Sequence, residues 1–409
     1  MITNVLDYLK NFIKWIAVSF IVGLICGLLG SLFHICIDLA TSFRHNFNWI
    51  IYLLPVGGIF IIFMYQLFKK QGKLDTNRII DAVKDNQSIP FVTVPLIFVS
   101  TVITHLLGGS AGREGAALQI GGGLGYSLGR IFKLNENDKH IIVMAGMAGV
   151  FAALFGTPIT AAIFSLEVIR VGKLNYSGLL PCIISAIVAF KISDWFGIEP
   201  TRFVLENAAH TSFGNLFKVL VLATMCALLC IVFCFGIRKT EKYMKKFFKN
   251  RYLRSFLGAI LVLGLTLIFN SGDYNGAGTE VIQRAIMGNA KPEAFFVKLV
   301  FTAITLSAGF KGGEIVPAFF VGSTFGCVVA PLLGLDAGFA AAIGFVSLFC
   351  GVVNCPVASV VLSYEVFGGA GILLFALACA VSYAISGNYS LYKSQEIVFS
   401  KLTAQEIQK

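Results

Sequence analysis

The amino-acid sequence predicts an all-α polytopic membrane protein made of two inverted-topology repeats of tilted and broken helices. Three observations carry the prediction. Of 409 residues, 57% are apolar and 13% charged, with a mean hydropathy of +0.82, which lies outside the soluble range and inside the polytopic class. Glycine or proline repeatedly interrupts the apolar runs, as at Gly121-Gly122-Gly123 with Gly125, Gly156-Thr157-Pro158, Gly312-Gly313 and Asn354-Cys355-Pro356, so many are shorter than the roughly 20 residues a straight span needs. The chain also repeats itself. Gly156-Thr157-Pro158 followed by Ser165-Leu166-Glu167-Val168 recurs as Asn354-Cys355-Pro356 followed by Ser363-Tyr364-Glu365-Val366 with the same Pro-to-Glu spacing. Upstream, Ser110-Ala111-Gly112 recurs as Ser307-Ala308-Gly309, and Thr76-Asn77-Arg78-Ile79 resembles Thr279-Glu280-Val281-Ile282.

Along the chain, the first long helix is expected at about Phe12 to Leu39, flanked by Lys10 and Lys14. No small-residue cleavage site follows it, so it reads as a retained helix with a cytoplasmic amino end. Its counterpart is expected at about Leu216 to Ile237. Lys69, Lys70 and Lys73 follow one apolar run, and Arg238, Lys239, Lys242, Lys245, Lys246, Lys249, Arg251 and Arg254 follow another, which places both clusters inside. One long helix then leaves the cytoplasm and the other arrives there, so the halves are inverted. Residues 1–200 form the first repeat and 201–409 the second, joined by a polar external linker from Gly197 to Asn215. The chain is short after Tyr392, and no soluble regulatory domain is expected. The net charge of +11 is distributed between apolar runs and does not form one soluble basic face, which argues against nucleic acid. The ten cysteines sit singly in apolar stretches without a C-x-x-C pair, so packing is their expected role and neither a metal nor a cofactor is implied.

Two halves with glycine-broken segments in matching places point to a transporter with its site at the repeat interface. The strongest candidate is Gly108-Gly109-Ser110-Ala111-Gly112-Arg113-Glu114-Gly115, an Arg-Glu pair inside a glycine-rich break. Ionisable groups at membrane depth are costly and persist where they face a polar path. Flanking glycines, Gly115 among them, let amides approach a ligand, and a helix starting there aims its positive end inward. This is an anion site in which Glu114 competes with the anion when ionised and withdraws when protonated, a change that burial brings within reach for carboxyl groups generally. The alternative is a glutamate that merely neutralises Arg113. Glu314, in Lys311-Gly312-Gly313-Glu314-Ile315-Val316-Pro317, is its counterpart in kind, with Ile315 and Val316 as amide donors at a helix start; an ion pair with Lys311 is the alternative. Glu167 and Glu365 read as interfacial or capping groups. Tyr392 reads as a hydroxyl donor or an interfacial tyrosine. Gly108 to Gly112 also fits G-x-S-x-G, but that reading needs a strand-turn-helix and a histidine partner; neither is evident, with His105 embedded in an apolar helix, and neither H-E-x-x-H nor a P-loop occurs.

Gly112-Arg113-Glu114-Gly115, Met147-Ala148-Gly149 leading through Pro158 to Glu167, Gly313-Glu314-Ile315-Val316-Pro317 and Tyr392, in that order, resemble the CLC family of anion channels and proton-coupled antiporters over nearly the whole chain. The resemblance implies a homodimer with one pathway per subunit and helix amino termini meeting at a central anion. It implies Glu114 as the gating glutamate, Ile315 and Val316 as amide donors and Tyr392 as the central hydroxyl donor. Several positions depart from the pattern. Leu74-Asp75-Thr76-Asn77-Arg78 replaces the family's chloride-binding G-S-G-x-P, Ala116 replaces a proline, Ile315 replaces a phenylalanine, and Val168 stands where chloride/proton exchangers keep an internal glutamate.

A G-G-E-x-x-P second motif, an asparagine near the lost serine and an apolar relay position are similar to the fluoride/proton antiporter branch, in which the second-motif glutamate belongs to the ion pathway. Thr76 and Asn77 supply donors for a strongly hydrated anion, or else cap a short helix. The expectation is therefore a multi-pass inner-membrane transporter, not an enzyme, that exchanges fluoride for protons. A chloride channel or chloride/proton exchanger of the same fold, a transport-dead sensor and an intramembrane serine hydrolase are its rivals.

Overall fold

The computed structural model describes residues 2–68, 74–403 and 405–406; Lys69, Lys70 and Lys73 lie outside the described residues. Among the described residues the chain forms sixteen α-helices, seven of them long and apolar enough to cross a bilayer. The first eight are α1 (Ile2–Asn46), α2 (Leu54–Leu67), α3 (Thr76–Asp85), α4 (Thr93–Leu106), α5 (Glu114–Ile131), α6 (Glu136–Phe155), α7 (Pro158–Glu167) and α8 (Leu179–Trp195). The second eight are α9 (Phe213–Phe247), α10 (Arg251–Phe269), α11 (Thr279–Ile286), α12 (Ala294–Ala308), α13 (Ile315–Leu333), α14 (Ala337–Val353), α15 (Pro356–Phe367) and α16 (Ile372–Ile385).

The two sets repeat one another down to their caps. Asn135 accepts from the Asp138 amide at 2.8 Å to start α6, and Asp336 accepts from the Phe339 amide at 2.9 Å to start α14, each supplying a side-chain oxygen to an otherwise orphaned donor. Both helices end in a left-handed residue, Gly156 (φ +66°) and Asn354 (φ +57°). The following residues, Thr157 and Cys355, have nearly identical backbone angles, −121°/73° and −122°/74°, before Pro158 and Pro356 open α7 and α15. Proline suits the first turn because it lacks an N–H that the helix could not use.

Close packing holds each half together, because lipid gives helices no hydrophobic reason to associate and small residues must let backbones touch. α5 crosses α6, and α13 crosses α14, at glycines. A Cβ on Gly121 would lie 2.2 Å from the Gly146 carbonyl oxygen, and one on Gly322 would lie 2.2 Å from that of Gly344. The halves meet through α2 against α10, α5 against α13 and α7 against α15. The last contact is reciprocal. The Glu167 carboxylate accepts from the Val357 and Ala358 amides at 3.2 and 2.9 Å, and Glu365 accepts from the Ile159 and Thr160 amides at 3.0 and 2.8 Å. Each glutamate thus caps the short helix of the opposite half, the capping role among its expected ones.

Both long helices exceed their expected bounds, α1 by up to ten residues at its amino end and α9 through Lys245 and Lys246. Charged residues end an apolar run without ending a helix, because lysine and glutamate are good helix formers. After α16 the chain folds back across the molecule. Glu396–Ile397 (β2) pairs in parallel with Arg170–Val171 (β1), with an Arg170–Glu396 ion pair at 3.0 Å. Gln395 Nε2 donates to the carbonyls of Val168 and Val353 at 3.0 and 2.7 Å, so this strap fixes the segment that carries Tyr392.

Candidate functional site

The glycine breaks before α5 and α13 meet at the centre of the molecule. Gly112 and Gly313 exchange amide-to-carbonyl hydrogen bonds, both 2.8 Å, as an isolated antiparallel bridge, and this places the amino termini of the two helices side by side. Glu114, the first residue of α5, is fully buried, and its Oε1 accepts from the Val316 amide at 2.9 Å. A carboxylate therefore occupies the positive end of α13, where exposed amides and the helix dipole favour an anion. A Cβ on Gly112 would stand 2.2 Å from Glu114 Oε2, and one on Gly313 would stand 2.4 Å from Oε1. Only glycine on both sides leaves room for the carboxylate.

Two cavities approach this junction. One, of about 860 Å³, is walled by Arg44, His105, Arg113 and Val316 among others. The other, of about 530 Å³, is walled by Thr76, Asn77, Gln119, Lys311, Glu314 and Tyr392 among others, with Arg238, Lys245 and Lys393 also on it. Val316 faces the first and Glu314 the second, two residues apart on the chain.

The structure places each expected site residue. Ile315 and Val316 are buried in the first turn of α13, and Gly115 packs against Gly312, whose carbonyl oxygen would lie 3.0 Å from an added Cβ. Arg113 does not pair with Glu114. Its guanidinium reaches Asp38 at 3.4 Å and the Leu154 carbonyl at 3.3 Å, and lies over the Phe155 ring. Asp38 in turn meets His34 at 2.7 Å. The Lys311 ammonium sits over the Tyr65 ring at 4.3 Å. Tyr392 is buried, with 4% of its surface exposed, and its hydroxyl has no hydrogen-bond partner. Asp75, rather than Thr76 or Asn77, caps α3, accepting from the Arg78 amide at 3.1 Å. Thr76 Oγ1 donates to the Gly115 carbonyl at 3.3 Å, and Asn77 Oδ1 accepts from the Ser394 amide at 3.0 Å, so both tie α3 to the site.

Other residues at the site escaped the sequence reading. Lys298, fully buried in α12, donates to the carbonyls of Tyr274 and Gly276 at 3.1 and 2.7 Å and holds the loop before α11. A lone lysine inside an apolar run was the signal for it. Arg44 donates to the His105 carbonyl at 2.5 Å, and His105 Nε2 donates to the Gly112 carbonyl at 3.3 Å; nothing in their spacing tied them to the bridge. Ser110 is hydrogen-bonded to Thr302 at 3.1 Å, while His105 serves Gly112, so no nucleophile and base pair forms there.

Residues 57–387 match the sequence model of the family described as voltage gated chloride channel. The chain belongs to that family. A chloride/fluoride channel protein of Pseudomonas syringae pv. tomato is 36% identical, the alignment covering 97% of this chain and 89% of the relative. An H+/Cl− exchange transporter of Vibrio campbellii is 26% identical over 84% of this chain and 80% of its own length. Among solved structures, a CLC-type fluoride/proton antiporter superposes with a TM-score of 0.91 at 32% identity, covering 95% of this chain and 99% of that one. The voltage gated chloride channel fold of two inverted repeats and the multi-pass membrane character expected from composition both hold, and the chain is not an enzyme.

Proposed function

We propose that this chain is a fluoride/proton antiporter in which Glu114 is the group shared by the two ions. The observation that carries the reading is the Glu114 carboxylate seated on the Val316 amide at 2.9 Å, between two cavities. A carboxylate there stands in for a small anion. When it takes up a proton it loses the charge that holds it on the helix terminus, and an anion can replace it. Proton and anion then use the position in turn. The likeness to a chloride/fluoride channel protein and to a fluoride/proton antiporter supports fluoride as the anion.

In this reading Glu114 and Glu314 carry the coupling on the two sides of the bridge. Ile315, Val316, Gly115, Thr76, Asn77 and Tyr392 line the anion's route, and Arg113, held by Asp38, adds positive potential at the larger cavity. The basic residues on the smaller cavity support its assignment to the cytoplasmic face, with the amino terminus on the same side. The protein works as a homodimer in a bacterial inner membrane, and the repeats divide between residues 200 and 201.

The test uses purified protein in liposomes. Fluoride efflux far exceeding chloride efflux, with a fluoride gradient driving protons uphill, is the expected result; fluoride loss without proton movement would assign a channel instead. Glu114→Gln keeps the size of the side chain and removes the titration, so proton transport is lost. Unchanged proton transport in that variant would remove Glu114 from this role.

A further inference from the structure

Four buried side-chain atoms on residues that line one cavity have no hydrogen-bond partner: Gln119 Oε1, Ser307 Oγ, the Tyr392 hydroxyl and Arg238 Nε. Gln119, Ser307 and Tyr392 are each 4% exposed. Burying a polar atom unpaired is costly, so such atoms in a native protein call for an explanation. Ser307 is the clearest. Helical hydroxyls nearby bond back to the preceding turn, Thr305 to the Phe301 carbonyl at 2.8 Å and Thr104 to the Ser100 carbonyl at 2.9 Å, the ordinary resting place for such a group. Ser307, two residues beyond Thr305 on the same helix, leaves its hydroxyl unspent.

Gln119 is half engaged. Its Nε2 donates to Thr76 Oγ1 at 3.1 Å and to the Gly115 carbonyl at 3.2 Å, which leaves Oε1 unused. Both N–H groups are thereby spent, and Oε1 is an acceptor open to a donor in the cavity.

We propose that Gln119 and Ser307, beside Tyr392, form a polar pocket on the Glu314 side of the bridge that receives the transported anion and sets its preference for fluoride over chloride. Gln119 accepts through Oε1 from a proton-bearing occupant such as hydrogen fluoride. Ser307 and Tyr392 donate to the bare anion and to that occupant alike. Fluoride, with the higher charge density, gives up more on leaving water and so depends more on each donor that replaces it.

This inference rests on the anion-transport reading above, and the experiment separates the two. Initial rates of sodium fluoride and sodium chloride efflux are measured against concentration for the full chain and for Ser307→Ala and Gln119→Leu in liposomes. The expected result is a half-saturating fluoride concentration raised about tenfold in each variant, as losing one hydrogen bond to the occupant implies, with the half-saturating chloride concentration raised less. Ser307→Cys, which keeps the shape at a slightly larger size and weakens the donor, follows the same trend and serves if Ser307→Ala does not fold. If both positions keep the parent half-saturation and selectivity, the pocket is overturned while Glu114 keeps its role. If the parent chain moves no fluoride, both readings fall.

Discussion

Glu114 sits in a space made by what its neighbours lack. Gly112 and Gly313 pass the carboxylate on either side, and a methyl group on either would overlap its oxygens. Gly313→Ala would also bring its Cβ to 2.5 Å from the Gly115 amide nitrogen, so the backbone bridge must open or the carboxylate must leave Val316. Fluoride-driven proton movement is expected to fall at least about tenfold, with a stability cost of about 1–3 kcal/mol from overpacking; full coupling at parental stability would contradict the geometry. At this scale the sequence was largely legible. An Arg-Glu pair among glycines in an apolar chain costs too much to be incidental. The direction of each side chain was not legible, because adjacent opposite charges suggest a pair, whereas Arg113 turns to Asp38 on α1.

The short helices α7 and α15 depend on carboxylates borrowed from each other. Glu167 and Glu365 each satisfy two amide donors in the first turn of the opposite helix, and a charged acceptor there is favoured by the helix dipole as well as by the hydrogen bonds. Glu167→Gln or Glu365→Gln is expected to cost about 1–2 kcal/mol each and to lower the unfolding midpoint in detergent. An unchanged midpoint in both would show the caps to be dispensable. Helix existence followed from the apolar runs, whereas the caps at Asn135 and Asp336 emerged only in the structure. The strap was not foreseen, because Gln395 and Asn354 gain their meaning only when residues 389–401 return to α14 and β1.

Across the whole molecule, the two halves leave one cavity on each side of a single bridge. The positive-inside reading puts Gln87, exposed and on the smaller cavity, in the cytoplasm and Asn270, exposed and on the larger one, outside. Nine of the ten native cysteines are buried, so an introduced exposed thiol reports its own side. In inverted vesicles Gln87→Cys should react with a membrane-impermeant maleimide and Asn270→Cys should not. The opposite pattern would reverse the assigned orientation in the membrane. The homodimer is checked by light scattering in detergent, where the protein component should weigh twice the 44.2 kDa chain.

The sequence by itself determined the membrane class, the two matched halves, and the motifs around Glu114, Glu314 and Tyr392. These are consequences of composition, of periodic breaks and of the cost of charge in hydrocarbon, all of them local properties of the chain. Only the tertiary structure decided that Gly112 and Gly313 bond to each other, that Glu114 rests on Val316, and that Gln119 and Ser307 face the same cavity as Tyr392. These meetings join residues as much as 273 positions apart. Which backbone donor a buried carboxylate finds depends on how the two inverted halves pack, and no local pattern encodes that distance.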